Sequence, residues 1–477
     1  MFGYFATLQV LTLFLVTDQH LSESASGWLY GTSGAAVSVA GIALGSLVDR
    51  LGVKRSLIVG SLFSGIGMMM LALADDMTTI YIALYIVLPL GGGFSMSVFD
   101  IATKRYAAPG TQPEAFGLSY MGMNVGAALA FITFQVFRWR WPGGSSTRFG
   151  YETTNERLLF AISSAVTFVV GSLAAIFARE VSVSVDGSFV VGTQAESRNI
   201  ARMPAVLKPT AKDENGMSLP PPASMSRCEF YIIRPYCWYR DNVFKRREFY
   251  QMMALAISHL FVKQVYRQFD IVMPIWLVRV LGEDAPIGAL NTINPVIIIV
   301  LFPLSSWLAK CIDIYTLQIL GTFVSAASLF ILVAPPSIGS ISAALVLFSL
   351  AEVCYSPLVS AYAMMLAPEG LEGTYSAIAI LPTLLSSIFV GPIGGHLLEA
   401  MCPKIVDRSQ LPELVDYELR QCNLIWAYIG APAFATSTLL VLFYAFINTE
   451  ANREKARVRQ KELQHNPDDT DLEGIET

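Results

Sequence analysis

Charge is scarce in this 477-residue chain. Only 14% of its residues are Asp, Glu, Lys or Arg, where a soluble domain averages about 25%. That shortage excludes an ordinary water-soluble fold. Histidine occurs four times. The sequence offers no phosphate-cradling glycine loop, no metal-ligand spacing and no nucleophile constellation, so neither enzymology, a cofactor nor a metal centre is expected. With a net charge of −5 and no basic stripe, nucleic acid is not an expected partner. Glycosylation sequons and a cleavable signal peptide are also missing; the first apolar run, "MFGYFATLQVLTLFLV", serves as an insertion signal itself.

What the chain has instead is apolar sequence, 54% of its residues, with a mean hydropathy of +0.52. Runs of about 20 apolar residues suffice to cross a bilayer, and twelve can be marked. Six fall near 1–17, 27–48, 56–75, 79–101, 116–137 and 158–178. Six more fall near 249–278, 288–308, 315–334, 340–366, 374–398 and 423–447. The fold class is therefore an all-α membrane protein of two six-helix halves, 1–178 and 248–447. A polar linker at 179–247 joins them, and a tail at 448–477 follows. With both termini cytoplasmic, short inner loops and the tail carry 11 Lys and Arg against 8 outside, which favours that orientation weakly. Plasma and endolysosomal or vacuolar membranes fit equally.

The halves repeat. A shift of about 260 residues lays "LSESASGWLYGT" (21–32) over "LGEDAPIGALNT" (281–292), and repeated six-helix halves are a transporter signature. The same shift sets Met1 over Phe261, well inside the seventh span. It predicts that the first helix lacks its cytoplasmic half, with a naturally short, tilted helix as the alternative.

The loop "GSLVDRLGVKRSL" (45–57) holds Gly45, Asp49, Arg50, Gly52, Lys54 and Arg55. Gly45 allows close helix approach and Gly52 a tight turn. The three cations hold the loop inside, and Asp49 is placed to accept bonds at a helix end. This stretch resembles the loop motif of the major facilitator superfamily at every motif position. The resemblance implies that fold, secondary transport, and a cytoplasmic gate latched by this cluster. The counterpart in the second half, "SSWLAKCIDIY" (305–315), is degenerate.

Three further stretches resemble the proton-coupled oligopeptide transporters of that superfamily: "YMGMNVGAALA" (120–130), "TINPVIIIVLFPL" (292–304) and "AEVCYSPLVSAYAMMLAP" (351–368). By position the resemblance implies that Asn124 and Asn294 hydrogen-bond substrate, and that Glu352 meets a substrate amine or carries the coupled proton. The departures are Gln9 near an expected arginine, Ser95 for an expected lysine, Ala379 near an expected tryptophan, and no counterpart of the Glu-x-x-Glu-Arg motif.

The seventh span carries "HLFVKQVYRQFD" (259–270). At about 100° per residue, His259, Lys263, Arg267 and Asp270 fall on one narrow face. A charge at mid-bilayer costs about 2.5–3.5 kcal/mol on insertion scales, so these groups pair or face water. Arg267 and Asp270 are spaced to pair. His259 and Lys263 need an acceptor, either Glu352 or a substrate anion. Two readings remain: a structural network tied to Glu352, or a cavity lining that receives an anionic group. Glu352, Asp270 and His259 are the expected proton-coupling groups; Asp100 is expected to be a gate or loop contact.

The expectation is a secondary active, proton-coupled carrier for a small anionic or zwitterionic solute, peptide-like or amino-acid-like, acting by alternating access. Its expected partners are that substrate, protons and the lipid bilayer, and it is expected to be a monomer. The alternatives are a proton-coupled antiporter or facilitator for another organic solute, and a transport-dead sensor of the same fold. The six cysteines are either all free or include a Cys402–Cys422 disulfide on the oxidising side.

Overall fold

The computed structural model describes residues 1–107, 111–141, 145–148, 151–183, 189–195, 237, 240, 244–356, 381–402 and 412–447. Nearly all of it is helix. In the first half, α1 spans Phe2–Thr17 and α2 spans Glu23–Ala72. A fourth span is assembled from α3 (Met77–Ile82), a π turn (Ala83–Val87) and α4 (Leu88–Tyr106). Then come α5 (Gln112–Arg140) and α6 (Asn155–Phe177). Two small antiparallel hairpins flank α6: β1 (Ser145–Arg148) with β2 (Tyr151–Thr154), and β3 (Val181–Val183) with β4 (Phe189–Val191).

The second half holds α7 (Arg247–Ser258), α8 (Leu260–Ile271), α9 (Met273–Leu281) and α10 (Ile287–Cys311). They are followed by α11 (Ile314–Ser328), α12 (Ile338–Val353), α13 (Leu381–Met401), α14 (Pro412–Asn423) and α15 (Ile425–Leu442). Among the described residues, seven helical segments are long and apolar enough to cross a membrane, two of them within α2, and shorter apolar helices such as Phe2–Thr17 and Ile338–Val353 stand beside them.

Two boundaries differ from the sequence expectation. The second and third spans form one helix, α2, interrupted at Gly52, whose φ of 79° and ψ of 177° only glycine adopts without strain. The seventh span is three helices rather than one. Pro274 has no N–H to return to the Asp270 carbonyl; that carbonyl instead accepts from the Thr12 hydroxyl of α1 at 3.2 Å. Near His259, the Val262 N–H leaves the helix ladder for the Thr436 hydroxyl at 2.9 Å. Each interruption thus has a named partner from a neighbouring helix. Most of the linker beyond residue 195, the tail, Ala379 and the second part of the tenth span lie outside the described residues.

Lipid is as apolar as leucine, so helices in a bilayer associate through close packing of small residues and through polar bonds. Antiparallel α2 and α13 do so at one end of the bundle. A Cβ on Gly27 would sit 2.2 Å from the Gly391 oxygen, and one on Gly391 would sit 2.0 Å from the Gly27 oxygen. Glu23 of α2 pairs there with Arg279 of α9, both buried. Arg279 also donates to the carbonyls of Leu398 and Cys402 at the end of α13. Cys402 is disulfide-bonded to Cys422, which ties α13 to α14. On the other flank, Gln135 of α5 accepts from the backbone N–H groups of Gly288 and Ala289 at 3.0 and 3.2 Å, capping α10. The two halves are therefore joined across this "disulfide end". The opposite "motif end" carries Gly52.

Candidate functional site

The polar side chains of the interior form two linked groups between the halves. The first is built around α8. Arg267 and Asp270, three residues apart, form an ion pair at 3.7 Å, with side chains 13% and 21% exposed. Tyr30 of α2 donates to Asp270 Oδ2 at 2.7 Å. Arg267 donates to the hydroxyls of Tyr30 and Tyr4 at 3.4 and 3.2 Å. A guanidinium with several donors and a carboxylate acceptor are thus held by tyrosines from the opposite half.

The second group centres on Glu352 of α12, which is buried. Tyr120 of α5 donates to one carboxylate oxygen. Asn294 of α10 donates to the other at 2.7 Å and to Ser349 Oγ at 3.1 Å. Asn124 is buried and spends its amide N–H on the Tyr120 carbonyl at 2.9 Å. Nearby, the Tyr266 and Tyr355 hydroxyls meet at 2.6 Å. Charge-assisted bonds of this kind are roughly twice as strong as neutral ones, so Glu352 is well held.

Lys263 stands between the groups. Its ammonium lies 5.4 Å from the Tyr266 ring centre and within electrostatic reach of both Glu352 and Arg267. Among the described residues it makes no ion pair, and both Glu352 oxygens already have donors. Of the two acceptors expected for Lys263, Glu352 is therefore not a direct ion-pair partner but attracts it at a distance. His259 departs further from the expected cavity face. It is buried, its Nδ1 bonds to the Leu255 carbonyl at 2.9 Å, and its Nε2 has no partner among the described residues. Gln9 is buried in α1, with both amide atoms unpartnered among the described residues.

In the gate motif the structure places Gly45 and Gly52 on α2, with Lys54 and Arg55 just past the break. The side chains of Asp49, Arg50 and Asp100 lie outside the described residues. The amide N–H of Lys54 finds the carboxylate of Glu180 at 2.9 Å.

Sequence reasoning missed the tyrosines. Tyr266 lies three residues after Lys263, Tyr355 three after Glu352, and Tyr120 four before Asn124. Those are same-face helix spacings, so a search for hydroxyls beside intramembrane charges finds them. Arg279, one of the eight cations counted in the outer loops, is instead a buried partner of Glu23.

A two-half helical bundle with a polar, charge-bearing interface between its halves is the architecture of a secondary carrier. The sequence profile of the Major Facilitator Superfamily matches residues 1–392, and the chain belongs to that superfamily. No curated protein matches it by sequence. Among solved structures it is similar to a bacterial homologue of the human drug peptide transporters PepT1 and PepT2, at 17% identity and a TM-score of 0.60, covering 94% of this chain and 96% of that one. A structure addressing substrate recognition in proton dependent oligopeptide transporters aligns at 16% identity and a TM-score of 0.62, with the same coverage. A POT family transporter in complex with 5-aminolevulinic acid aligns at 15% identity and 0.61, covering 94% of each. These likenesses concern the fold.

Proposed function

We propose that this chain is a proton-coupled secondary active transporter for a small anionic or zwitterionic solute, peptide-like or amino-acid-like. The observation that carries the reading is the Lys263 ammonium, held inside the bundle without an ion pair while its charged neighbours are bonded. An intramembrane cation left in that state requires an anion or water. A substrate carboxylate seated beside Lys263 supplies the anion. Asn294 and Glu352 then lie on the same side of the site to meet the rest of the solute. The fold relatives named for peptides and for 5-aminolevulinic acid fit a ligand of this chemistry.

Asp270 is the proposed coupling group. As a carboxylate it holds Arg267 and accepts from Tyr30 across the halves. Once protonated it loses its attraction for Arg267, which is then released toward the anionic solute. Proton binding and substrate binding thereby favour one another, and the cross-half bond that must break for the site to change sides is weakened. With the motif end facing the cytoplasm, the joined disulfide end closes the outer side.

The experiment is uptake into proteoliposomes from a panel of dipeptides, single amino acids and 5-aminolevulinic acid under an imposed pH gradient. Accumulation that collapses with the gradient supports the reading. Asp270→Asn is expected to leave exchange between equal pools while abolishing gradient-driven accumulation. Accumulation unaffected by dissipating the gradient refutes coupling, and outward solute movement required for uptake would identify an antiporter instead.

A further inference from the structure

The gate motif meets a side chain from far along the chain. At Gly52 the backbone leaves the helix and α2 restarts at Val53. The first N–H groups of a restarted helix have no partner within it. An N-cap side chain ordinarily accepts from one of them, and glycine has none to offer. Glu180, three residues beyond the end of α6, fills the vacancy: its Oε1 accepts from the Lys54 N–H at 2.9 Å.

The fit is mutual. A Cβ on Gly52 would lie 2.6 Å from Glu180 Oε1 and 3.0 Å from Oε2, so the missing side chain at residue 52 is the space the carboxylate occupies. The negative charge sits at the positive end of the helix dipole. The same segment is anchored on both sides. Tyr106 at the end of α4 donates to the Arg179 carbonyl at 3.0 Å. The Gly192 N–H returns to the Glu180 carbonyl at 2.8 Å, closing the β3–β4 hairpin.

We infer that Glu180 is a positioning residue of the gate: from just beyond the end of α6 it caps the helix that follows the motif loop, and couples the start of the inter-half linker to that loop. Gly52 is then needed twice, for its backbone angles and for the room it leaves. A pull on the linker reaches the motif loop through one carboxylate. The inference goes beyond the carrier reading and stands on the loop geometry.

The test is amide hydrogen exchange on the full chain in lipid nanodiscs, following peptides that cover 50–60 and, as a control, 155–177. This readout does not depend on transport. Glu180→Ala is expected to speed exchange at Lys54 at least tenfold while the control stays protected. Glu180→Gln keeps a carbonyl acceptor and is expected to stay within threefold of the parent. Unchanged exchange in Glu180→Ala overturns the inference. So does a glutamine variant as fast as alanine. Loss of protection spreading through 155–177 also overturns it, because Glu180 would then support the half rather than the loop. Should the alanine variant fail to fold, Glu180→Asp applies the same test: its shorter reach is expected to deprotect Lys54, and full protection counts against the cap.

Discussion

Replacing Glu23 by glutamine removes the charge that Arg279 faces at the disulfide end while preserving shape. Both side chains are almost fully buried, at 2% and 6% exposure. Breaking a buried ion pair by removing one partner costs about 3–5 kcal/mol. Two features lower that figure. Glutamine still offers an oxygen, and Arg279 keeps the carbonyls of Leu398 and Cys402. The loss is then close to the value of one hydrogen bond to a charged group, about 2–3 kcal/mol. In the state where the halves part at this end, both groups meet water, so the cost falls on the joined state alone. At about 1.4 kcal/mol per decade, the equilibrium moves roughly 30- to 150-fold toward opening. A chain that rests 99% joined would then be open in roughly a quarter to three fifths of molecules.

The assay is a distance distribution between spin labels at Trp139 and Asp284, exposed positions near this end on opposite halves. Unpaired cysteines are replaced by serine beforehand. The parent is expected to show one short distance and Glu23→Gln a second, longer population. Reversing the pair, Glu23→Arg with Arg279→Glu, is expected not to restore the parent, because a carboxylate at 279 would face the Leu398 and Cys402 carbonyls. An unchanged distribution in Glu23→Gln, or full rescue by reversal, refutes the argument.

Gly391→Leu puts side-chain atoms where the Gly27 carbonyl lies, so the same spin labels should report the long distance and exchange of solute should stop. Tyr120→Phe withdraws the donor to one oxygen of buried Glu352; leaving a buried acceptor short of a partner costs about 1–3 kcal/mol, visible as a lower Tm in nanodiscs. Asp18, in the loop after α1, tests pH. Burial pushes its carboxyl up, but bonds from Arg157, Thr154 and Gln19 outweigh burial and hold it below its ordinary value. A lowered carboxyl contributes stability above the unfolded value, about 3.9, and loses it as pH falls through the folded value. Asp18→Asn should therefore lower Tm equally at pH 7 and pH 5, with the difference vanishing only below the ordinary carboxyl range.

Much of the architecture is written in local sequence. Long apolar runs are self-reporting because a bilayer tolerates little else, and the offset between "LSESASGWLYGT" and "LGEDAPIGALNT" shows the doubling. The spacing of Lys263, Arg267 and Asp270 displays a shared helix face, and the Arg267–Asp270 contact is the local i,i+3 pair it permits. What local sequence withholds is the partner from elsewhere. Tyr4 and Tyr30 reach Arg267 over more than 230 residues, and periodicity carries no such distance. Apolar patterning reads the seventh span as unbroken across Pro274, and only packing shows that Thr12 takes the freed carbonyl. His259 shares the projected face, but the turn in which it sits directs its ring to Leu255. Glu180 falls at the start of the polar linker in the sequence; its place beside Gly52 depends on how α6 ends against α2.

The most direct test of the central claim is substrate binding at Lys263. Uptake of the solute found in the panel is measured in proteoliposomes for the parent, Lys263→Ala, Lys263→Arg and Arg267→Ala. Lys263→Ala is expected to weaken half-saturation at least tenfold, with much of the loss recovered by Lys263→Arg, and an analogue of the solute lacking its carboxylate should not distinguish the variants. Unchanged uptake and half-saturation in both Lys263→Ala and Arg267→Ala would contradict the account, and the charged face of the seventh span would then be a structural network.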